Sequence, residues 1–405
     1  MVILWAVDFW RLPRAKDLEA RRIWRAPVSL GSRTTVEVEV HCDTGVPVLV
    51  EVIDDVPASL RAAPATFSLR VAPGYPGRWS YIVEPLQRGD LRIGRIYLRV
   101  QSRLRLAERW STAEAPQTVR VYPNLEDARR QTMYLIRSHQ VELEKRLKRR
   151  RSRGREFESL REYRQGDEMR EICWTASARR GNLVTKVQQI ERSQAVWIVI
   201  DAGRLLRAKL QLEGWRGPLE KLDAAVNAAL TLAHVALYSG DRVGLITYGR
   251  KLQARLNAGR GAAHLRALAE ALALAQAEMV EGAHALAAET LLHAQRRRSL
   301  VVWLTDLAET PAMPDVMESA LRLTPRHLVL FVVMGQPDLE KVAATRPGTS
   351  EEMYRYVAAQ EMIQRRELLL RSLRHQGVLT AEVAPGRLST SVVNSYLEIK
   401  ERSLL

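Results

Sequence analysis

Between Trp24 and about Pro123 the chain alternates hydrophobic and polar positions in short runs cut by turn residues. The run TTVEVEV (34–40) is the cleanest. Val36, Val38 and Val40 fall on one face and Thr35, Glu37 and Glu39 on the other, as in a half-buried antiparallel strand. Parts of 46–54, 67–73, 78–85 and 91–100 repeat the pattern at spacings of about 8–12 residues, which predicts an all-β, Ig-like sandwich. From about Leu125 to Arg151 the pattern turns helical, with Asn124 as cap and an increasingly basic end that Gly154 stops.

From Ala195 onward, continuous apolar runs alternate with helical stretches. AVWIVID (195–201), DRVGLITYG (241–249), SLVVWLTD (299–306) and RHLVLFVVM (326–334) read as strands buried on both faces of a parallel sheet. A short partner strand is expected at 251–256 and a last strand at 378–385. Helices are expected over 218–238, 262–277, 283–297, 314–323 and 351–376, with a terminal helix from Ser389 or Thr390. Strand–helix alternation of this kind requires right-handed crossovers and a doubly wound sheet. The division is thus an N-terminal stub (1–23), a sandwich (24–123), a basic connecting helix (124–152), a linking segment (153–191) and an α/β domain (192–405).

Composition narrows the function classes. The two cysteines, Cys42 and Cys173, are far apart and lack metal-ligand spacing, which fits a reducing compartment better than a disulfide framework. A net charge of +16 favours anionic lipid, nucleic acid or an acidic protein face. Residues 145–155, KRLKRRRSRGR, concentrate that charge, but no aromatic residues interleave with them and no nucleic-acid reader fold is visible. The alternative of a basic nucleic-acid-binding module predicts affinity that falls steeply with salt and disappears when Arg149, Arg150 and Arg151 are neutralised. MVILWAVDFW at the N-terminus is apolar but too short to span a bilayer, which takes about 20 residues. The Arg88-Gly89-Asp90 tripeptide reads as a turn between two strands.

The densest cluster of special residues lies in 153–191, RGREFESLREYRQGDEMREICWTASARRGNLVTKVQQIE. It resembles the signature of the bacterial domain of unknown function 58 family, which reads G-x-E-F, L-R-x-Y, G-D-x-x-R-x-I-x-W and S-A-R ahead of a von Willebrand factor A-like domain. The matches are Gly154, Glu156, Phe157, Leu160, Arg161, Tyr163, Gly166, Asp167, Arg170, Ile172, Trp174, Ser177, Ala178 and Arg179. Asp167 reads as a helix cap, and Arg161, Arg170 and Arg179 as partners for nearby carboxylates. Trp174 reads as an inward-packed anchor, with a docking surface as the alternative. The resemblance implies a von Willebrand A-like α/β domain and a MoxR-type AAA+ ATPase as partner. It also implies two membrane helices upstream, so that residues 1–23 would be the tail of a lost hairpin at the cytoplasmic face of the inner membrane. Without a hairpin the chain would be cytoplasmic, or its short apolar start would lie on an anionic membrane surface.

In von Willebrand A domains a divalent metal sits at the carboxyl end of the sheet on Asp-x-Ser-x-Ser, a loop Thr and a later Asp. Here the first motif reads Asp201-Ala202-Gly203-Arg204-Leu205, the loop expected to supply the Thr reads Gly259-Arg260-Gly261-Ala262-Ala263, and Asp306 holds the last position. Two carboxylates make a weak magnesium site, so no cofactor is expected. Asp201 and Asp306 then cap helices or pair with Arg204; the rival reading is a metal-dependent binder or enzyme using both. No phosphate-binding loop, H-E-x-x-H pattern or nucleophile–base pair is present, and His234, His284 and His293 read as surface or core histidines. The expectation is a non-enzymatic interaction protein, an adaptor.

Overall fold

The computed structural model describes residues 2–10, 12–14, 17–43, 47–102, 105–113, 115–124, 156–163, 169, 172–189, 194–211, 217–307, 313–402 and 404. The chain is mixed α/β with an all-β N-terminal region. After a helix, α1 (Val2–Trp10), come β1 (Leu18–Trp24), β2 (Val28–Ser29), β3 (Thr34–Cys42), β4 (Val48–Asp54) and β5 (Ala65–Val71). They are followed by β6 (Gly77–Val83), β7 (Gly89–Ile93), β8 (Ile96–Gln101), β9 (Glu108–Ala113) and β10 (Gln117–Tyr122). Sheets β1–β3–β6, β2–β10–β7 and β5–β4–β8–β9 enclose one apolar core that includes Val38, Val50, Val52, Leu98 and Val100. β1 and the buried Leu12 and Leu18 come from the stretch read as a stub, so that stretch contributes to the sandwich. The run 91–100 is divided at Gly94-Arg95, where the chain passes from one sheet to another.

The outward face of β3 departs from simple alternation. Glu37 and Glu39 are buried because arginines from both neighbouring strands lie over them. Arg25 pairs with Glu37, while Arg21 and Arg78 pair with Glu39. The hydrogen bonds from those arginines hold the Glu39 carboxyl below the usual carboxylate range. Inside, Arg22 of β1 donates to both oxygens of Asp54 at the end of β4, to the Gly94 carbonyl (2.8 Å) and to the Ala115 carbonyl. Tyr81 of β6 donates to Asp54 at 2.7 Å. One buried guanidinium thus ties together strands and turns from all three sheets.

The connecting helix expected over 124–152 lies outside the described residues beyond Asn124. The linking segment forms a hairpin of β11 (Glu156–Glu162) with β12 (Val184–Gln189), and between them lies a short helix, α2 (Trp174–Arg180), closed by Gly181 at φ +70°. The α/β part contains β13 (Ala195–Asp201), the two-residue pair β14 (Lys209–Leu210) and β15 (Leu219–Glu220), α3 (Lys221–Tyr238), β16 (Arg242–Tyr248) and β17 (Leu252–Gly259). There follow α4 (Gly261–Leu274), α5 (His284–Ala294), β18 (Leu300–Thr305), α6 (Met313–Leu323) and β19 (Leu328–Met334). The chain ends with α7 (Pro337–Ala344), α8 (Ser350–His375), β20 (Leu379–Val383) and α9 (Leu388–Glu401). Thr349 and Glu352 cap the start of α8 reciprocally, and Gly377 (φ +86°) follows its end.

The six-stranded sheet has the order β17–β16–β13–β18–β19–β20, parallel except for β17. Numbered within the domain this is 3-2-1-4-5-6, a doubly wound order whose switch point lies between β13 and β18. Helices cover both faces, with α3 and α9 against one core and α5, α6 and the end of α8 against the other.

The sandwich docks on this domain through polar contacts. Arg88, nearly fully buried, pairs with Asp223 of α3 and donates to the carbonyls of Leu272 and Ala275. Arg120 and Tyr122 of β10 both bind Glu270 of α4. The Arg-Gly-Asp tripeptide therefore does not join paired strands: β6 and β7 belong to different sheets, and Arg88 faces inward.

Removing the Asp54 carboxylate leaves Arg22 buried without its counter-charge. Asp54→Ala should cost about 3–5 kcal/mol in denaturant unfolding, and Tyr81→Phe about 1 kcal/mol. A loss below about 1 kcal/mol for Asp54→Ala would show that Arg22 is hydrated. Burial, reinforced by Arg326, pushes the His327 imidazole down to about 4. Protonation then favours the unfolded chain, so this contribution is complete above about pH 6.5 and declines as the pH falls toward 4. Thermal melts should show the decline, and His327→Asn should flatten it.

Candidate functional site

The carboxyl ends of β13 and β18 meet at the switch point, where ligands gather in doubly wound sheets. Asp201 ends β13 and Asp306 follows β18, both buried. They line one shallow pocket with Gly203, Arg204, Gly282 and His284. It has room for about a single water molecule.

Lys221, the first residue of α3, places its ammonium 2.5 Å from Asp306 Oδ2, with side-chain exposures of only 7% and 1%. A cation in the first helical turn opposes the helix dipole, and the carboxylate offsets that cost. Asp306 Oδ1 accepts from the Leu307 amide at 2.8 Å and lies 3.5 Å from Arg366 of α8. Arg366 also donates to the Met334 carbonyl at the end of β19, and its Nε lies 3.1 Å from Glu382 of β20. Asp306 is therefore held between two basic side chains from different helices.

Asp201 is held differently. Oδ1 accepts from the Gly203 amide and Oδ2 from the Thr305 hydroxyl, each at 2.8 Å. Gly282 packs so closely that a Cβ there would come within 2.6 Å of Asp201 Oδ1. Arg204 does not pair with Asp201; it pairs with Glu281, which also lines the pocket. The loop that approaches Asp201 is 278–284, joined through Glu278 N to Ala202 O and Arg204 N to Val280 O. Residues 259–263 are not that loop. β17 runs antiparallel and Gly259 pairs with Val243, so they lie at the amino end of the parallel strands. The hydroxyl that serves Asp201 is Thr305, next to Asp306.

A buried polar chain extends from the pocket. His284 Nδ1 lies 2.8 Å from the Tyr248 hydroxyl, which accepts from Trp303 Nε1 at 2.8 Å. Burial pushes the Asp201 carboxyl above its usual range and the His284 imidazole below its own, while each draws the other back toward charge. His284 is thus buried and partnered through Nδ1 at the pocket wall; His293 is exposed and bonds the Glu289 carbonyl of its own helix. Among the described residues no three His, Cys, Asp or Glu converge as a metal cluster.

The signature residues do not join this pocket. Gly166, Asp167 and Arg170 lie outside the described residues, as does the Arg161 side chain, although Arg161 lends its backbone to β11. The Tyr163 amide donates to the Leu183 carbonyl, and the buried Ser177 hydroxyl accepts from the Val184 amide at 2.9 Å, tying α2 to β12. Arg179 is exposed in the last turn of α2. Trp174 contradicts the packed-anchor reading: it is 64% exposed. The residue buried here is Ile172, bridged to Thr185, and its geometry turns Trp174 outward at the first position of α2. Met169 and Leu183 of the same segment are exposed as well.

Residues 159–344, from the middle of β11 to the end of α7, match the family model described as "Protein of unknown function DUF58". This segment belongs to the DUF58 family. It contains the second half of β11, α2, β12 and the switch point with Lys221, Asp201 and Asp306. Uncharacterized proteins of Mycobacterium tuberculosis and Mycobacterium bovis are each 27% identical over 186 residues, 45% of this chain and 56% of theirs. The match thus spans little more than half the length of those relatives. The CARDB domain of a Pyrococcus furiosus protein, solved with di-metal ions, aligns at 18% identity and TM-score 0.18 over 26% of this chain and 87% of its own. Proximal thread matrix protein 1 from the mussel byssus aligns at 10% identity and TM-score 0.28, over 50% and 44%. Overlaps so low leave the DUF58 segment to its own topology.

Lys221→Ala would leave Asp306 buried with only the more distant Arg366. Unfolding in urea should show a loss of about 3 kcal/mol, partly recovered by adding Asp306→Ala. Strict additivity of the two substitutions would mean that the residues do not interact.

Proposed function

We propose that the chain is a non-enzymatic adaptor with a von Willebrand A-like domain, which presents its signature hairpin to a MoxR-type AAA+ ATPase at the cytoplasmic face of the inner membrane. The observation that carries this reading is the exposure of Trp174. A large aromatic side chain held outward on a short helix, in a segment where Met169 and Leu183 are also exposed, has the make-up of a protein-docking anchor. The hairpin backing it is pinned through Ser177 and Ile172, so the anchor is presented on a fixed element. The partner class comes from the resemblance of the signature.

The strand order and the positions of Asp201 and Asp306 support the von Willebrand A-like reading. The Lys221 ammonium supports the loss of metal dependence, because it supplies the positive charge that a divalent ion would otherwise bring to Asp306. No helix among the described residues is long and apolar enough to cross a membrane.

Trp174→Ala should abolish co-purification of an AAA+ ATPase, identified by mass spectrometry, from the native host. The melting temperature should stay unchanged, since exposed substitutions alter stability by about 0.5 kcal/mol or less. Unfolding of the variant would return Trp174 to a packing role, and undiminished capture would remove it from the interface. Titration with magnesium should give no saturable sub-millimolar binding; binding that Asp201→Ala abolishes would establish the metal-dependent alternative.

A further inference from the structure

Helix α8 has two faces. Its buried residues, Ala359, Leu369, Leu370 and Leu373, fall on one side of the cylinder. Tyr354, Val357, Glu361, Gln364, Leu368 and Arg371 fall on the opposite side, and all six are exposed. They recur at alternating intervals of three and four residues, the spacing of the a and d positions of a coiled coil. A helix face turned to water is ordinarily polar. Here Tyr354 is 79% exposed, Leu368 57% and Val357 54%, with exposed Met353 at their border.

The first part of α8 has little protein behind it. Residues 350–368 extend about 28 Å, and Ala359 alone among them is buried. Gln360 Nε2 donates to the Ala343 carbonyl of α7 at 2.9 Å, which leaves the six outward positions uncovered. Ion pairs within the helix, Glu361 with Arg365 and Glu367 with Arg371, stiffen it. Charge also divides along its length. Residues 351–361 hold Glu351, Glu352 and Glu361 against Arg355, a net of −2. The exposed residues of 365–374 hold Arg365, Arg371 and Arg374 against Glu367, a net of +2, while Arg366 is turned inward to Asp306.

We infer that the outer face of α8 is a self-association surface, on which a second copy of this chain docks its own α8 in antiparallel orientation. With the twofold axis midway between Glu361 and Gln364, each a position meets a d position of the other copy. Val357 packs on Leu368, Glu361 accepts from the Gln364 amide, and Arg371 lies against the Tyr354 ring as a cation–π pair. The acidic first half of each helix then runs along the basic second half of the other; a parallel pairing would set like charges side by side. This match of the face to itself, in both layer pattern and charge, singles out a second copy as the occupant. An identical patch on both copies closes the assembly at a dimer. The inference does not rest on the adaptor role or on its ATPase partner.

The test is sedimentation velocity of the full chain over about 1–100 µM, the range in which a contact of this limited size dissociates. The wild type should show a monomer–dimer equilibrium. The double variant Val357→Glu/Leu368→Glu should raise the dissociation constant at least about tenfold, with an unchanged thermal melt. Trp10→Glu, at an exposed aromatic of α1, should dimerise as the wild type does. Under mild oxidation a mixture of Tyr354→Cys and Arg371→Cys chains should give a cross-linked dimer above the wild-type background, and Tyr354→Cys alone should not. A wild type that stays monomeric throughout, or a dimer that the double variant leaves intact, would overturn the inference. A dimer dissolved by Trp10→Glu instead would move the contact to α1. Cross-linking of Tyr354→Cys to itself would overturn the antiparallel arrangement. A monomer that retains another host protein, lost in the double variant, would assign the face to that partner in place of a second copy.

Discussion

Asp306 depends on positive charge brought to it from two helices. A carboxylate buried at the end of a central strand is strongly disfavoured alone, and Lys221 and Arg366 make it tolerable. Because Lys221 begins α3 and Arg366 lies midway along α8, satisfying one carboxylate also positions the helix beside β13 and the helix that leads to β20. Arg366 extends the connection to the ends of β19 and β20 through Met334 and Glu382. The carboxyl edge of the sheet is thereby cross-linked over β18, β19 and β20, with α3 joined to it by Lys221. The pocket that remains is small and bordered by ion pairs.

Other parts of the chain are held by the same means. Arg22 with Asp54 locks the sandwich, Arg88 with Asp223 joins the sandwich to α3, and Arg120 with Glu270 joins it to α4. The side-chain hydrogen bonds of Tyr122 and Arg120 keep the Glu270 carboxyl below its usual range, so that link to α4 remains ionised at neutral pH. Arginine suits such places because its planar fork bonds several acceptors at once. Part of the basic composition is therefore structural. On this frame several apolar side chains face outward, among them Trp174 on the hairpin, the aromatic side of α1, and Tyr354 and Val357 of α8.

Much of the architecture was legible before folding. Alternation at 34–40 and the runs at 195–201, 299–306 and 326–334 became β3, β13, β18 and β19 because period-two burial and two-sided burial leave distinct patterns in a sequence. β1 was not legible: LEARRIW alternates poorly, and Arg22 occupies a buried position that only Asp54 makes acceptable. α7 begins at a proline and buries nothing fully, so no apolar stripe announced it. At the site, Asp201 and Asp306 were readable from their place after strands. Lys221 left one signal, as a basic residue at the start of an otherwise apolar helix. Thr305 left none, being a hydroxyl within a strand.

The amino-acid order by itself determined the strands, the helices and the two carboxylates at the switch point, because those follow from local periodicity and from the ends of apolar runs. Which side chains reach those carboxylates was decided only by tertiary structure. Lys221 and Arg366 lie 85 and 60 residues from Asp306 in the chain, and no local pattern encodes a contact made by helices crossing a sheet. The outward turn of Trp174 and the inward turn of Asp8, whose carboxylate accepts from the Ser102 hydroxyl, were decided in the same way, since each depends on which neighbour folding brings to the opposite face.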